Sequence, residues 1–242
     1  MSAHRHRHLA WDGCYNVRDL GGLCTADGHD TRWGGVVRAD NVERLTAAGW
    51  RALQAHGVRT IVDLRNAEEQ GTDDAPRPDG ISTLHVPLDD RVDVDMWRHF
   101  SENGLQGTPL YYRPFLERKP ERCAAAVRAV ARAEPGGVVV HCVGGRDRTG
   151  LISLLLLALV GVLPADIAAD YEHSNRRLPP LWARLGLGDQ RGRVAAQLER
   201  KNTSERDSVL EVLEWLDSER YLRSAGVADE DLDGLRERLI ES

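Results

Sequence analysis

Residues 138–150 read VVVHCVGGRDRTG and are followed by the apolar run LISLLLLALV. A β-type run that passes through two glycines straight into a long helical run demands a strand, a tight turn and a helix in succession. That unit belongs to α/β architecture. It also has a chemical consequence. A loop curled between strand and helix aims successive backbone N–H groups inward as an anion nest, and the helix N-terminus adds partial positive charge.

The residues in the turn suit a phosphate. Cys142 ends the strand, so its sulfur is expected at the bottom of the nest, where the N–H groups and arginines favour thiolate. A thiolate there is a ready nucleophile, and a thiophosphate intermediate divides one difficult hydrolysis into two easier steps. Val143, Gly144, Gly145, Arg146, Asp147, Arg148 and Thr149 form the expected phosphate-binding segment. The two glycines allow close approach and positive φ. Arg148, six positions beyond Cys142, offers a planar fork for two phosphoryl oxygens. Thr149 is expected to cap the helix and to donate its hydroxyl to the sulfur. His141 falls on the opposite strand face from Cys142 and reads as a supporting donor that stabilises the loop. A lone cysteine is more often a small buried hydrophobe. The arginine at the sixth position and the strand–turn–helix context argue for chemistry instead.

Strand and helix signals alternate through the central region, which predicts an α/β fold with a central, mostly parallel sheet flanked by helices. VVRAD (36–40), VRTIVDL (58–64), ISTLHVPL (81–88) and VVVHC (138–142) read as strands. AAGWRALQAHG reads as a helix with Leu53 on its apolar face and Gly57 just past its end, and KPERCAAAVRAVARAEPGG as an amphipathic helix. LISLLLLALVGVL (151–163) is shorter than the ~20 residues of a membrane span and reads as a buried core helix. PADIAADYEHSNRRL and 205–223 are helical, with Val209, Val212, Leu213 and Leu216 at helical spacing, an apolar face that reads first as core packing and second as an active-site lid, while RLGLGDQRGR reads as a loop at the pocket mouth. No linker divides the 242 residues, so one domain (1–242) is expected.

A net charge of −6 without a broad basic block argues against nucleic acid as partner. Cysteines 14, 24, 123 and 142 form no CxxC pair, so neither a disulfide framework nor structural zinc is expected, and no cofactor or metal is implied. A reactive thiol needs a reducing compartment. The opening MSAHRHRHLAWDG lacks an apolar leader, which predicts a cytoplasmic protein without a transmembrane segment and leaves export without a signal peptide open. His4, His6 and His8 alternate with Arg5 and Arg7, and residues 1–10 read as a frayed, solvated tail.

HCVGGRDRTG resembles the HCxxGKDRTG loop of the bacterial tyrosine phosphatases related to mycobacterial protein tyrosine phosphatase B and the Listeria lipid phosphatase, within the cysteine-dependent C-x5-R superfamily. NVRDLGG (16–22), VVRAD (36–40), VRTIVDLR (58–65), ADYEHSN (169–175) and YLRSAGV (221–227) resemble that group's blocks in the same order. The resemblance implies a tyrosine-phosphatase-like fold, with the C-terminal helices (176–223) serving as a lid over the pocket. Arg146 departs from the lysine usual in the family. Since that side chain is implicated there in binding extra substrate phosphates, the exchange bears on phosphoinositide preference.

A leaving alkoxide or phenolate needs a proton, and three positions compete to supply it. Asp147 lies within the loop, Asp63 ends the VDLR strand, and Asp89 and Asp90 follow HVPL. The resemblance favours Asp147, then Asp63, then the pair. Asp147 also has a structural reading, as a carboxylate holding Arg146 or Arg148 in place, and Asp63 one as support for the loop arginine. Asn16, Arg18 and Asp19 read as scaffold, with a turn at Gly21 and Gly22.

These residues predict metal-independent hydrolysis of phosphomonoesters through a phosphocysteine. The expected substrates are phosphotyrosine proteins, to which the resemblance adds phosphoserine, phosphothreonine or phosphoinositides, and inorganic phosphate or vanadate should occupy the loop. A rhodanese-like sulfurtransferase also sets a cysteine in an anion nest, but without the arginine followed by Thr-Gly. A non-catalytic phospho-binding module would not need cysteine, arginine and acid together.

Overall fold

Five strands, β1 (Arg18–Asp19), β2 (Val36–Ala39), β3 (Val58–Asp63), β4 (Ser82–His85) and β5 (Gly137–His141), form one sheet in the order β1-β2-β5-β3-β4. The computed structural model describes residues 7–89 and 91–241. All pairings are parallel except β1 with β2. β5 is central, with Val139 opposite Val37 on one side and Ile61 on the other, and its residues are buried. β4 is an edge strand, and its side chains are largely exposed.

The eleven helices are α1 (Ala47–Ala55), α2 (Val94–Glu102), α3 (Tyr112–Arg118), α4 (Pro120–Ala131), α5 (Asp147–Leu159), α6 (Pro164–Arg177), α7 (Pro179–Arg184), α8 (Arg191–Glu199), α9 (Glu205–Trp215), α10 (Ser218–Ser224) and α11 (Asp229–Leu239), counted among the described residues. Alternation along β5 divides the apolar interior. Val138, Val140 and Cys142 face the larger core with Ala124, Val127, Leu151, Leu155 and Val209, whereas Val139 faces Val37, Trp50, Leu53 and Ile61. α5 is buried on nearly every side, as its unbroken apolar composition requires. Thr46 caps α1 at its start, and Gly57, at φ +88°, follows its end.

Three local expectations are corrected. The helical signal at 205–223 divides at Leu216 and Asp217, where Asp217 caps a new helix, so α9 and α10 are separate. Part of the expected loop RLGLGDQRGR already belongs to α8 from Arg191. Arg7 and His8 are not a solvated tail: Arg7 is fully buried, and His8 bridges to Arg18 beside β1. His4, Arg5 and His6 lie outside the described residues. No helix among the described residues is long and apolar enough to cross a membrane.

Candidate active site

Cys142 follows β5 directly, and Asp147 opens α5, so residues 143–146 make the turn between the sheet's C-terminal edge and a helix N-terminus. In open α/β sheets this edge is where ligands bind. The loop's hydrogen bonding is one-sided. The Val143 carbonyl accepts from Asn41 N–H (3.2 Å) and the Arg44 side chain (3.4 Å). The Gly144 and Gly145 carbonyls accept from Asn16 Nδ2 (2.9 and 3.1 Å), and Arg38 donates to the Gly145 and Arg146 carbonyls (2.8 and 3.3 Å). Among the described residues, no N–H group of residues 143–146 donates to another protein group. Peptide units whose oxygens are gripped from outside leave their N–H groups turned to the inside, which is the geometry of an anion nest.

Asn16 and Arg38, two of the donors that grip the loop, are themselves buried and tied down. The Asp40 carboxylate accepts from Tyr15 and Asn16 N–H, and burial pushes this carboxyl up to about 6. Arg18 donates to Asn16 Oδ1 (2.8 Å) and to Asp170, fixing the Asn16 amide. Arg7, Arg18 and Arg38 converge on the carboxylate of Asp170, all four side chains being buried. Burial lowers Arg18 to about 9, with Arg38 adding to the effect and Asp170 opposing it. The scaffold reading of NVRDLGG therefore has a specific content: Asn16 of this block reaches the outer face of the 143–146 loop.

Glycine is required at one of the two loop positions. Gly145 has φ +62°, and a Cβ there would lie 2.3 Å from the Ala39 carbonyl oxygen. Gly144 does not have positive φ, and a Cβ there would meet only Leu178 at 3.8 Å, which corrects the expectation of positive φ for both. Thr149 lies inside α5 and caps nothing. Its residue is buried, and its Oγ1 has no hydrogen-bond partner in the protein.

Arg148 is held by a residue that sequence reading passed over. Its two terminal nitrogens donate to the two carboxylate oxygens of Glu69 at 2.6 and 2.8 Å, and Asp89 Oδ2 lies 3.3 Å from the guanidinium. Burial alone would push the Glu69 carboxyl up, but Arg148 holds it below the ordinary range. Glu69 Oε2 also accepts from Asn66 N–H at 2.9 Å. The spacing Asn66-x-x-Glu69 is a helix-start signature that could have drawn attention to Glu69, though not to its arginine partner.

The candidate acids stand in different surroundings. Asp147 is about a third exposed, accepts the Tyr171 hydroxyl at 3.1 Å and has Arg146 Nε at 3.9 Å. Asp89 is more enclosed, and burial pushes its carboxyl up against the opposing effect of Arg148. Asp63 is sealed beneath the loop, accepting from the Arg65 backbone and from its side chain at both carboxylate oxygens (2.8–3.0 Å). Burial opposes ionisation of Asp63, yet those Arg65 bonds hold its carboxyl below the usual range. Asp90 lies outside the described residues. His141, on the face opposite Cys142, has Nε2 3.5 Å from Asp63, and burial lowers its imidazole to about 4. No cluster of three or more metal-ligating side chains occurs among the described residues.

Comparison with known proteins agrees with this geometry. Residues 9–241 match the model of the tyrosine phosphatase family. A Cupriavidus necator protein to which tyrosine-protein phosphatase activity is ascribed is 34% identical over 177 residues, 71% of this chain and 64% of its own length, so the match spans just under two thirds of that relative. The triple specificity protein phosphatase PtpB of Mycobacterium tuberculosis is 30% identical over 202 residues, 72% of this chain and 71% of its own. A tyrosine-protein phosphatase of Nostoc commune is 29% identical over 219 residues, 84% and 73% of the two chains. With its cysteine and arginine set six residues apart around a strand-to-helix nest and its sequence matched from residue 9 to 241, the chain belongs to the tyrosine phosphatase family.

Proposed function

We propose that this chain hydrolyses phosphomonoesters, phosphotyrosine in proteins above all, through a phosphocysteine intermediate. One observation carries the reading: the 143–146 loop has its carbonyls engaged from outside and its N–H groups left unengaged above Cys142, with Arg148 positioned alongside.

The steps follow from that arrangement. A phosphoryl dianion enters the nest at the N-terminus of α5, and Arg148 takes two of its oxygens with the donors that Glu69 leaves unoccupied. The Cys142 thiolate attacks phosphorus as the ester P–O bond breaks, and Asp147 gives the departing oxygen its proton. Water then attacks the phosphocysteine, Asp147 takes a proton from it, and the P–S bond breaks to return thiolate and inorganic phosphate. The Thr149 hydroxyl, buried and without another partner, supports donation to the leaving sulfur. Asp63 acts as a brace through Arg65 and His141, and Asp89 is the alternative acid.

The thiolate requires reducing surroundings, and we assign the activity to the cytoplasm on that ground. Of the C-terminal helices (176–223), α7 and α8 form the proposed lid, whereas α9 and α10 pack into the core through Val209, Val212 and Leu222. Family membership leaves the sulfurtransferase reading without support, and a binding-only module would not need both Cys142 and Arg148.

The test is hydrolysis of p-nitrophenyl phosphate and phosphotyrosine peptides in the presence of EDTA, with inhibition by vanadate and inorganic phosphate. Phosphoserine, phosphothreonine and phosphoinositide substrates form the comparison panel, since the mycobacterial relative is named for triple specificity. Cys142→Ser and Arg148→Ala should each lose activity by about a thousandfold or more. Undiminished turnover by Cys142→Ser would end the phosphocysteine mechanism.

A further inference from the structure

Asp147 is held at two points by two tyrosines that stand edge to face. The Tyr112 hydroxyl donates to the Asp147 carbonyl at 2.8 Å, and the Tyr171 hydroxyl donates to the carboxylate Oδ1 at 3.1 Å. The two rings lie 6.0 Å apart at an interplanar angle of 90°. Gly150, in the first turn of α5, makes room for both: a Cβ there would lie 2.5 Å from the Tyr112 hydroxyl oxygen and 3.1 Å from Tyr171 Cδ2. Tyr112 opens α3 and Tyr171 belongs to α6, so neither neighbours the loop in sequence. Burial pushes the Tyr171 phenol well above its ordinary value, so it remains a donor through the neutral range. Arg146 Nε lies 3.9 Å from the same Oδ1, and Asp89, Tyr111 and Tyr112 are also within electrostatic reach of Asp147.

Resting on the phosphatase reading and on Asp147 as its acid, we infer that Tyr171 is a positioning residue: its hydroxyl holds Oδ1 of Asp147, so that the proton for the leaving oxygen is carried on Oδ2. Donation to one carboxylate oxygen assigns the acid's proton to the other. It also fixes the plane of a carboxyl group that is about a third exposed and that would otherwise turn freely about its last side-chain bond. The same bond favours the ionised carboxylate, the state in which Asp147 takes a proton from water in the second step. Arg146 acts in the same direction, whereas the like charge of Asp89 favours the protonated acid.

The experiment measures kcat/KM against pH, with the full chain, for phenyl phosphate, whose leaving group needs a proton, and p-nitrophenyl phosphate, whose leaving group departs with little help. Tyr171→Phe keeps the ring against Tyr112, Gly150 and Arg146 and removes only the donor, so the fold is retained. On the acidic side of the basic limb it should lower kcat/KM for phenyl phosphate by about tenfold and leave p-nitrophenyl phosphate within about twofold. It should also move the basic limb up by about half a pH unit or more, because the ionised carboxylate loses a donor. In an Asp147→Asn background, Tyr171→Phe should produce no further change in the ratio of the two substrates, since the group it positions is gone. An unmoved ratio, whether activity is kept or lost equally on both substrates, an unmoved limb, or an effect that persists beside Asp147→Asn would overturn the inference. A basic limb retained by Asp147→Asn alone would overturn it as well, while leaving the phosphatase reading in place. Wild-type protein that hydrolyses neither substrate would overturn the phosphatase reading and this inference with it.

Discussion

The guanidinium of Arg148 meets the carboxylate of Glu69 through two hydrogen bonds of 2.6 and 2.8 Å, across 79 residues of sequence. A bidentate pair fixes the plane of the fork as well as its position. The orientation of the Arg148 guanidinium is therefore set by a residue outside the loop.

Glu69→Gln keeps the size of the side chain but removes its charge and one acceptor. Misplacing a transition-state donor by about 1 Å costs on the order of a hundredfold in rate, so kcat/KM for p-nitrophenyl phosphate should fall about 10- to 100-fold. Steady-state kinetics on the folded variant checks this. A change of less than twofold would show that the loop orients Arg148 unaided.

The proton donor is identified by the basic limb of the pH–rate profile, where the protonated acid is lost. With a phosphotyrosine peptide, Asp147→Asn should flatten that limb, while p-nitrophenyl phosphate, whose leaving group is good, is affected much less. Asp89→Asn should keep the limb. The reverse pattern would make Asp89, the carboxyl raised by burial beside Arg148, the donor.

His141 links the loop to stability at mildly acidic pH. Its imidazole falls from 6.5 to about 4 on folding, burial outweighing the nearby Asp63. Between these values the unfolded chain binds a proton that the folded chain refuses, so the stability from this residue is complete above about 6.5 and is lost as the pH falls toward 4. The loss approaches about 3 kcal/mol. Denaturant unfolding at pH 7 and pH 4.5 should show a smaller difference for His141→Gln than for the wild type. An equal difference in both would exclude His141 as its source.

The loop glycines should respond unequally to alanine. At Gly145 the added methyl meets the Ala39 carbonyl at 2.3 Å in a left-handed conformation, and displacement of β2 or the loop should destabilise the chain by about 2 kcal/mol or more. At Gly144 the nearest atom is 3.8 Å away, and the change should stay below about 1 kcal/mol. Chemical denaturation of both variants checks the contrast; equal losses would mean that the close approach to Ala39 does not constrain the loop.

What could be read without coordinates was local. The interval between Cys142 and Arg148, the strand that delivers the sulfur and the apolar run of α5 lie within 23 consecutive positions, and short-range spacing and period carry such information directly. The α/β class followed from the same kind of signal repeated along the chain. The roles of generic polar residues did not, because a glutamate or arginine acquires its meaning from a partner far away in sequence. Asn16 and Arg38 grip carbonyls 107–129 positions on, Asp170 gathers Arg7, Arg18 and Arg38, and Asp63, a candidate acid by its place at a strand end, is enclosed by Arg65. The sequence by itself determined the spacing of Cys142 and Arg148 and the turn between them; only the tertiary structure decided which charges hold that turn and which are neutralised, because burial and long-range pairing exist only once the chain has closed on itself.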